Sequence, residues 1–146
     1  MKDSVESQDI LSQIRKGIYE QTILTKETVN SLVEMDTSLE LINSLYEILD
    51  SQGNAYRNDL IKLRNSKKFL QISKEAHKLK SSFGSLGLTK LQFISKNLEL
   101  ECKKNDDEIN INLIDFLFSE LESYYSSSMS ELKDYINGFK SKEKAS

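Results

Sequence analysis

The stretch EAHKLKSSFGSLG, residues 75–87, decides how the chain folds. Within it and just before it, apolar residues recur at helical spacing and form one stripe: Ile72, Ala76, Leu79 and Phe83. Glycine stands at positions 84 and 87, and glycine tolerates the left-handed conformation with which many helices end. The stretch therefore predicts an amphipathic helix that buries one face in a core and then reverses the direction of the chain.

The only histidine of the chain, His77, lies on this helix. At about 100° per residue it sits roughly 120° from the centre of the apolar stripe, so its ring is expected to face outward. Its neighbours one turn away are Ser73, Lys80, Ser81 and Gly84. Three of these four residues are small. The pattern indicates a site that a large partner approaches, although a lone exposed histidine more often has no chemical role.

Helical periodicity continues through the rest of the chain. Further helices are predicted at residues 7–21, 25–35, 39–64, 90–104 and 111–139. No strand pattern occurs, and the absence of proline favours long helices. The sequence predicts one all-α domain over residues 1–146, a four-helix bundle with one or two additional N-terminal helices. The bundle is expected to span about residues 26–139, with residues 1–6 and 140–146 flexible.

The helix predicted at 90–104 carries apolar residues on two faces. Its main stripe consists of Leu91, Ile94, Leu98 and Cys102. Phe93 and Leu100 lie opposite this stripe, so we expect the helix to be covered on both sides, with the N-terminal helix as the second cover. Thr89 is expected to cap its start.

Composition excludes several classes of protein. No apolar run approaches the roughly 20 residues that a membrane-spanning helix needs, and the N-terminus lacks the apolar core of a signal peptide. The single cysteine, Cys102, rules out an intramolecular disulfide framework and fits a reducing compartment. With one histidine and one cysteine, no transition-metal site is expected. The prediction is a cytoplasmic protein with no membrane association.

Charge is unevenly distributed along the chain. Residues 60–104 carry eleven Lys or Arg and three acidic residues, a balance of +8, whereas residues 1–59 sum to −6 and residues 105–146 to −5. The hairpin that holds His77 is therefore basic in a protein with a pI near 5.3, which favours an acidic docking partner. Nucleic acid is the weaker alternative, because the flanking segments are acidic and no recognised nucleic-acid motif is present. A solvated basic face is the other alternative.

The run HKLKSSFGSLG, residues 77–87, resembles the signature H-x-L-K-G-S-S-x-x-L-G of histidine phosphotransfer (HPt) domains. Six patterned positions match: His77, Leu79, Lys80, Ser82, Leu86 and Gly87. Ser81 stands where the family has glycine, and Phe83 where it usually has a small residue. The resemblance covers roughly residues 26–136. The extra N-terminal helix and the long last helix are similar to those of stand-alone eukaryotic phosphorelay proteins of the plant and fungal type.

The resemblance implies an HPt-like bundle that carries a phosphoryl group on His77 between receiver-domain aspartates, from a hybrid sensor kinase to a response regulator. It implies a phosphocarrier without kinase activity of its own and without a bound cofactor, since the partner receiver domain supplies Mg²⁺. A monomer located in the cytoplasm and also in the nucleus is expected. The alternative is a helical adaptor of the same fold that binds receiver domains or other proteins without carrying phosphate. The presence of His77 argues against the adaptor.

Two residues are predicted to support His77. For Lys80, one turn further along, the resemblance implies stabilisation of phosphoryl oxygens; otherwise it is a solvated surface lysine. Glu99 lies about three residues further from the Gly84–Gly87 turn than His77 does, an offset of roughly 4–5 Å between antiparallel helices. Because side chains lean toward the N-terminus of their own helix, the two are expected to converge.

A carboxylate beside the imidazole can accept the Nδ1–H and leave Nε2 as the nucleophile. HPt domains of several subfamilies have Glu or Gln at this distance from the histidine, which implies the same role of imidazole orienter for Glu99. The alternative is a surface glutamate that flanks the core.

Docking residues are predicted on two helices. On the His77 helix they are the small neighbours Ser73, Ser81 and Gly84. On the helix at 25–35 they are Val29, Leu32 and Met35, because this short helix has more apolar residues than one buried stripe needs. Burial in the core is the alternative for each of these last three.

Overall fold

The computed structural model describes the backbone of residues 2–145 and the side chains of residues 9–140. Within residues 2–145 the chain forms six α-helices and one short 3₁₀ helix, with no strand. The helices are α1 (Lys2–Glu20), α2 (Lys26–Met35), α3 (Glu40–Asn65), α4 (Phe69–Ser85), α5 (Thr89–Cys102) and α6 (Ile111–Ala145), and the 3₁₀ turn spans Asp106–Glu108. The predicted all-α architecture is confirmed.

Helices α3 to α6 form the four-helix bundle, in which α4 packs most extensively against α5. Helix α5 also packs on α6, and α3 packs on α4 and α6. The two N-terminal helices lie outside the bundle, α1 against α5 and α6, and α2 against α3. All four bundle helices contribute fully buried apolar side chains, among them Ile42, Leu60, Ile72, Leu79, Phe83, Leu91, Ile94, Leu98, Ile114, Leu117 and Leu132.

The helix ends differ from the predictions mainly at the termini. The backbone is helical from Lys2 and as far as Ala145, so α1 and α6 are longer than their apolar stripes. The predicted flexibility of residues 1–6 and 140–146 stays a prediction. Met1 and Ser146 lie outside the described residues, as do the side chains of residues 1–8 and 141–146.

Helix α3 begins after a short break that follows α2, and Leu39 is the residue at its N-cap. Leu39 precedes the helix with a φ of 71° and is buried, so apolar burial holds it in a left-handed conformation. The Asp36 carboxylate accepts the backbone N–H groups of Ser38 and Leu41, each at 3.1 Å. These bonds satisfy amides that the helix itself leaves unpaired.

The second face of α5 is covered only in part. Phe93 packs against α1 at Gly17, where an added Cβ would lie 2.8 Å from the Phe93 ring. The predicted cover by the N-terminal helix is therefore confirmed at Phe93. It is wrong at Leu100, which is exposed, because this residue lies about 10 Å further along α5.

The turn between α4 and α5 is tied to the connection between α1 and α2. Gly87 has a φ of +75°, and its carbonyl accepts the backbone N–H of Thr25 at 2.7 Å. Thr89 lies inside α5 and does not cap it. Its hydroxyl contacts that of Thr25 and donates to the Gly87 carbonyl at 3.2 Å. The N-terminal segment thus fixes the turn that sets the register of α4 on α5.

Replacing Gly87 with alanine should lower the free energy of unfolding by about 1–3 kcal/mol. A Cβ there would lie 2.6 Å from the Thr25 carbonyl oxygen, in a backbone conformation that side chains rarely adopt. Urea denaturation followed by circular dichroism measures the change. The matched control is Gly138→Ala on α6, where a Cβ meets nothing within 4 Å; that variant should equal or exceed the wild-type stability. Equal stabilities for the two variants would contradict this account of the turn.

Candidate functional site

His77 lies in the middle of α4 on the face turned away from the core. Its side chain is 58% exposed. The apolar stripe predicted on the opposite face is completely buried: Ile72, Ala76, Leu79 and Phe83. The helical spacing therefore predicted the outward orientation of the imidazole correctly.

The imidazole does not stand alone, because a buried carboxylate lies beside it. The Glu99 side chain, on α5, is only 4% exposed, and its Oε1 is 2.9 Å from Nδ1 of His77. Lys80 Nζ lies 2.8 Å from Oε2, and Lys103 Nζ lies 3.3 Å from Oε1. One carboxylate thus contacts the imidazole and two ammonium groups. We call these four residues the Glu99 cluster.

The position of Glu99 is fixed by both helices. The Ser73 hydroxyl, one turn before His77, donates to the Glu99 backbone carbonyl at 3.0 Å. Lys80 reaches the carboxylate from α4, and Lys103 reaches it from the next turn of α5. The cluster therefore bridges the two helices that pack most extensively.

Electrostatics determine which nitrogen of His77 carries the proton. Burial alone would raise the pKa of Glu99, but hydrogen bonds with Lys80, His77 and Lys103 outweigh it and lower the pKa to about 2. At neutral pH the carboxylate is ionised and can only accept. Nδ1 of the neutral imidazole must then donate, and Nε2 carries the lone pair. Nε2 has no hydrogen-bond partner within the part of the chain that the structure describes.

Of the docking residues predicted on α4, only Ser81 has an open side chain. It is exposed, one turn after His77. The docking prediction is wrong for Ser73, because this residue is buried and its hydroxyl is engaged by Glu99. The space beside Gly84 is occupied by another side chain of the protein. A Cβ added at Gly84 would lie only 2.4 Å from the amide nitrogen of Gln92. Gly84 therefore accommodates Gln92.

The three docking residues predicted on α2 have different surroundings. Val29 is completely buried, which corrects its assignment as a docking residue, because a core side chain cannot meet a partner. Leu32 is half-buried against the core. Met35 is 75% exposed and remains available for docking.

Two residues of this region were not predicted from the sequence. Lys103 was not singled out, although its spacing of four residues from Glu99 places both on one face of α5. Gln92 was missed because only the side-chain conformation brings its amide over Gly84. Among side chains 9–140 no group of His, Cys, Asp or Glu could hold a metal ion.

A comparison with protein families matches the Hpt domain over residues 5–140. The chain belongs to the Hpt domain family. The Hpt match includes α4 and α5 with the whole Glu99 cluster. A search of curated proteins found no match.

Among solved structures, an Hpt-like fold is found in an X-ray structure of a candidate histidine-containing phosphotransfer protein from rice. The TM-score is 0.54 at 16% sequence identity, over 92% of this chain and 99% of the rice chain. At this identity the likeness concerns the fold. Across residues 2–145, no helix is long and apolar enough to cross a membrane.

Glu99→Gln should lower the stability of this Hpt protein at pH 7 by about 1–3 kcal/mol, because two ammonium groups lose their counterion. The pKa of Glu99 in the folded protein, about 2, lies below its ordinary value of 4.5. The stabilisation by the carboxylate is therefore complete above pH 4.5 and is lost as the pH falls through 2.

Urea titrations at several pH values between 7 and 2 measure this difference. The gap between wild type and Glu99→Gln should narrow steadily with acid. Other carboxylates titrate equally in both proteins and cancel in the comparison. A gap that stays constant down to pH 2 would contradict the assignment of an ionised, paired Glu99.

Proposed function

We propose that this Hpt protein is a phosphocarrier of a multistep phosphorelay, with His77 as the phosphoacceptor. The observation that carries the proposal is the combination of an exposed imidazole with a buried, ionised partner on Nδ1. A histidine that served only packing would need neither feature. The position of His77 in the signature of the Hpt family supports the same role.

The transfer step needs a nucleophile in line with the phosphorus atom of an acyl phosphate. Nε2 of His77 donates its lone pair and forms the N–P bond. The bond between phosphorus and the aspartate oxygen breaks, and its electron pair leaves with the carboxylate of the partner. The ring keeps its Nδ1 proton, which it donates to Glu99, and the carboxylate stabilises the positive charge that the ring acquires. The reverse sequence returns the phosphoryl group to an aspartate.

Lys80 and Lys103 are proposed to stabilise the phosphoryl oxygens. Both lie on the same carboxylate as the imidazole, and charge-assisted hydrogen bonds from ammonium groups suit phosphoryl oxygens. Lys103 shares Oε1 with His77 and is the more exposed of the two lysines. Since the Glu99 carboxylate holds both cations beside the imidazole in advance, the site needs little rearrangement as charge develops.

The proposed partners are receiver domains, from hybrid histidine kinases on the donating side and response regulators on the accepting side. The basic balance of residues 60–104 supports an acidic partner. Mg²⁺ is assigned to the receiver domain, whose phosphorylated aspartate it accompanies. The protein is proposed to act as a monomer in the cytoplasm and nucleus, without kinase activity of its own.

The proposal is tested by incubating the protein with a receiver domain that carries labelled phosphate on its aspartate. Acid-labile label should appear on the wild-type protein and be absent from His77→Gln, because glutamine has no nucleophilic ring nitrogen. Circular dichroism checks that the variant is folded. If the wild-type protein binds the receiver tightly but accepts no phosphate, the protein is an adaptor and not a phosphocarrier.

Lys80→Ala and Lys103→Ala should each slow transfer about tenfold, the equivalent of one charge-assisted hydrogen bond in the transition state. The matched control is Lys78→Ala, on the same helix, whose ammonium pairs with Glu75 at 3.4 Å instead of with Glu99. Single-turnover rates at saturating receiver measure the effect. A rate equal to that of the control would remove the lysine concerned from the mechanism.

A further inference from the structure

A groove of about 250 Å³ lies next to the Glu99 cluster. Its lining comes from α4, from α5 and from the residue that follows the end of α1. Six residues line it: Gln21, Lys80, Thr89, Gln92, Phe93 and Lys96. Lys80 belongs both to the groove and to the cluster, so an occupant of the groove would lie beside the reacting nitrogen. We call this space the α4–α5 groove.

Three polar side chains of the groove lack partners within the described ranges, whereas Lys80 contacts Glu99 and Thr89 donates to the Gly87 carbonyl. Within the described part of the chain, the side chains of Gln21, Gln92 and Lys96 make no hydrogen bond or ion pair. Lys96 differs in this from Lys80, Lys103 and their basic neighbour Lys104, all of which contact a carboxylate. No acidic residue lines the groove.

The chemistry of the lining selects the kind of occupant. An unpaired ammonium and two amides favour a carboxylate, while the half-buried ring of Phe93 offers an apolar contact for methylene groups. A water molecule takes up about 30 Å³ in the liquid. The groove therefore has room for a complete side chain from another protein, well beyond the need of a small ion.

We propose that the α4–α5 groove receives an acidic side chain of the receiver domain that exchanges phosphate with His77. This inference rests on the proposed function and adds a second contact beside the transfer site. The acids of the receiver that hold Mg²⁺ are committed to the metal. The groove contacts a different acidic residue, at the edge of the docked surface, where the unpaired charge of Lys96 lies.

The Glu99 cluster and the α4–α5 groove would therefore have different roles. The Glu99 cluster acts on the reacting atoms, which all receiver domains share. The groove contacts a peripheral residue, which differs from one receiver to another. Lys96 and Gln92 would therefore set affinity and partner choice through charge complementarity, with little influence on the transfer step itself.

The test uses two charge-changing variants, Lys96→Glu and Gln92→Glu, the second of which preserves side-chain size. The control is Lys133→Glu, the same change on α6 in a different groove, between α3 and α6. The probe is a receiver domain that transfers labelled phosphate to the wild-type protein. Initial rates are measured over a range of receiver concentrations. Phosphoramidate, a donor too small to contact the groove and the cluster together, is the second probe.

Both groove variants should raise the half-saturating receiver concentration about tenfold at low ionic strength, and the effect should shrink as salt screens it. The rate at saturating receiver and labelling by phosphoramidate should stay within twofold of wild type, as should every rate of Lys133→Glu. Half-saturation in both groove variants equal to that of the control would overturn the groove proposal alone. Absence of label on wild-type His77 from both donors would overturn the proposed function, and the groove proposal with it.

Discussion

One buried carboxylate organises the candidate site. Removing a charge from water is costly unless donors replace the solvent, and Glu99 has three of them in His77, Lys80 and Lys103. The three donors in turn depend on Glu99, because without it two ammonium groups and an imidazole would lie together with no counterion. The imidazole stays exposed while its partner is buried. Glu99, on the buried side of the ring, therefore fixes the tautomer of His77 through Nδ1, and Nε2 is left without a partner among the described residues.

This arrangement depends on the register of α4 against α5. A shift by one residue would move Glu99 by about 1.5 Å along the helix and by 100° around it, which would break all three contacts. Gly87 makes the tight reversal between the helices, and Thr25 holds that turn through its backbone N–H. At the other end of the hairpin, the Ser73 hydroxyl holds the Glu99 carbonyl. The connection between α1 and α2, outside the bundle, thus contributes to the geometry of the site.

The fold could be predicted because its signals are periodic and local. The apolar stripes predicted all six α-helices. Counting residues away from the turn along the two antiparallel helices predicted that Glu99 lies next to His77. What could not be predicted depends on side-chain packing between helices. Val29 and Met35 are both apolar residues of one short helix, yet one is in the core and the other in solvent. The spacing of α2 alone does not tell which face meets α3. The sequence likewise predicted open space at Gly84, but the Gln92 side chain from α5 covers this residue.

The charge of the cluster also bears on the direction of exchange. With a neutral imidazole, two lysines and one ionised glutamate leave the Glu99 cluster at +1. A phosphoryl group brings about −2 at neutral pH, and the ring that keeps its Nδ1 proton acquires +1, so the loaded cluster would be close to neutral. On the proposed function, the empty protein attracts a receiver that carries phosphate, and the loaded protein attracts it less. The same change removes the repulsion between the positive empty cluster and the bound Mg²⁺ of an unphosphorylated receiver. A neutral residue in place of Glu99 would leave the empty cluster at +2 and the loaded cluster at about +1. The carboxylate therefore does more than orient a ring, because it allows phosphorylation to cancel the charge of the cluster.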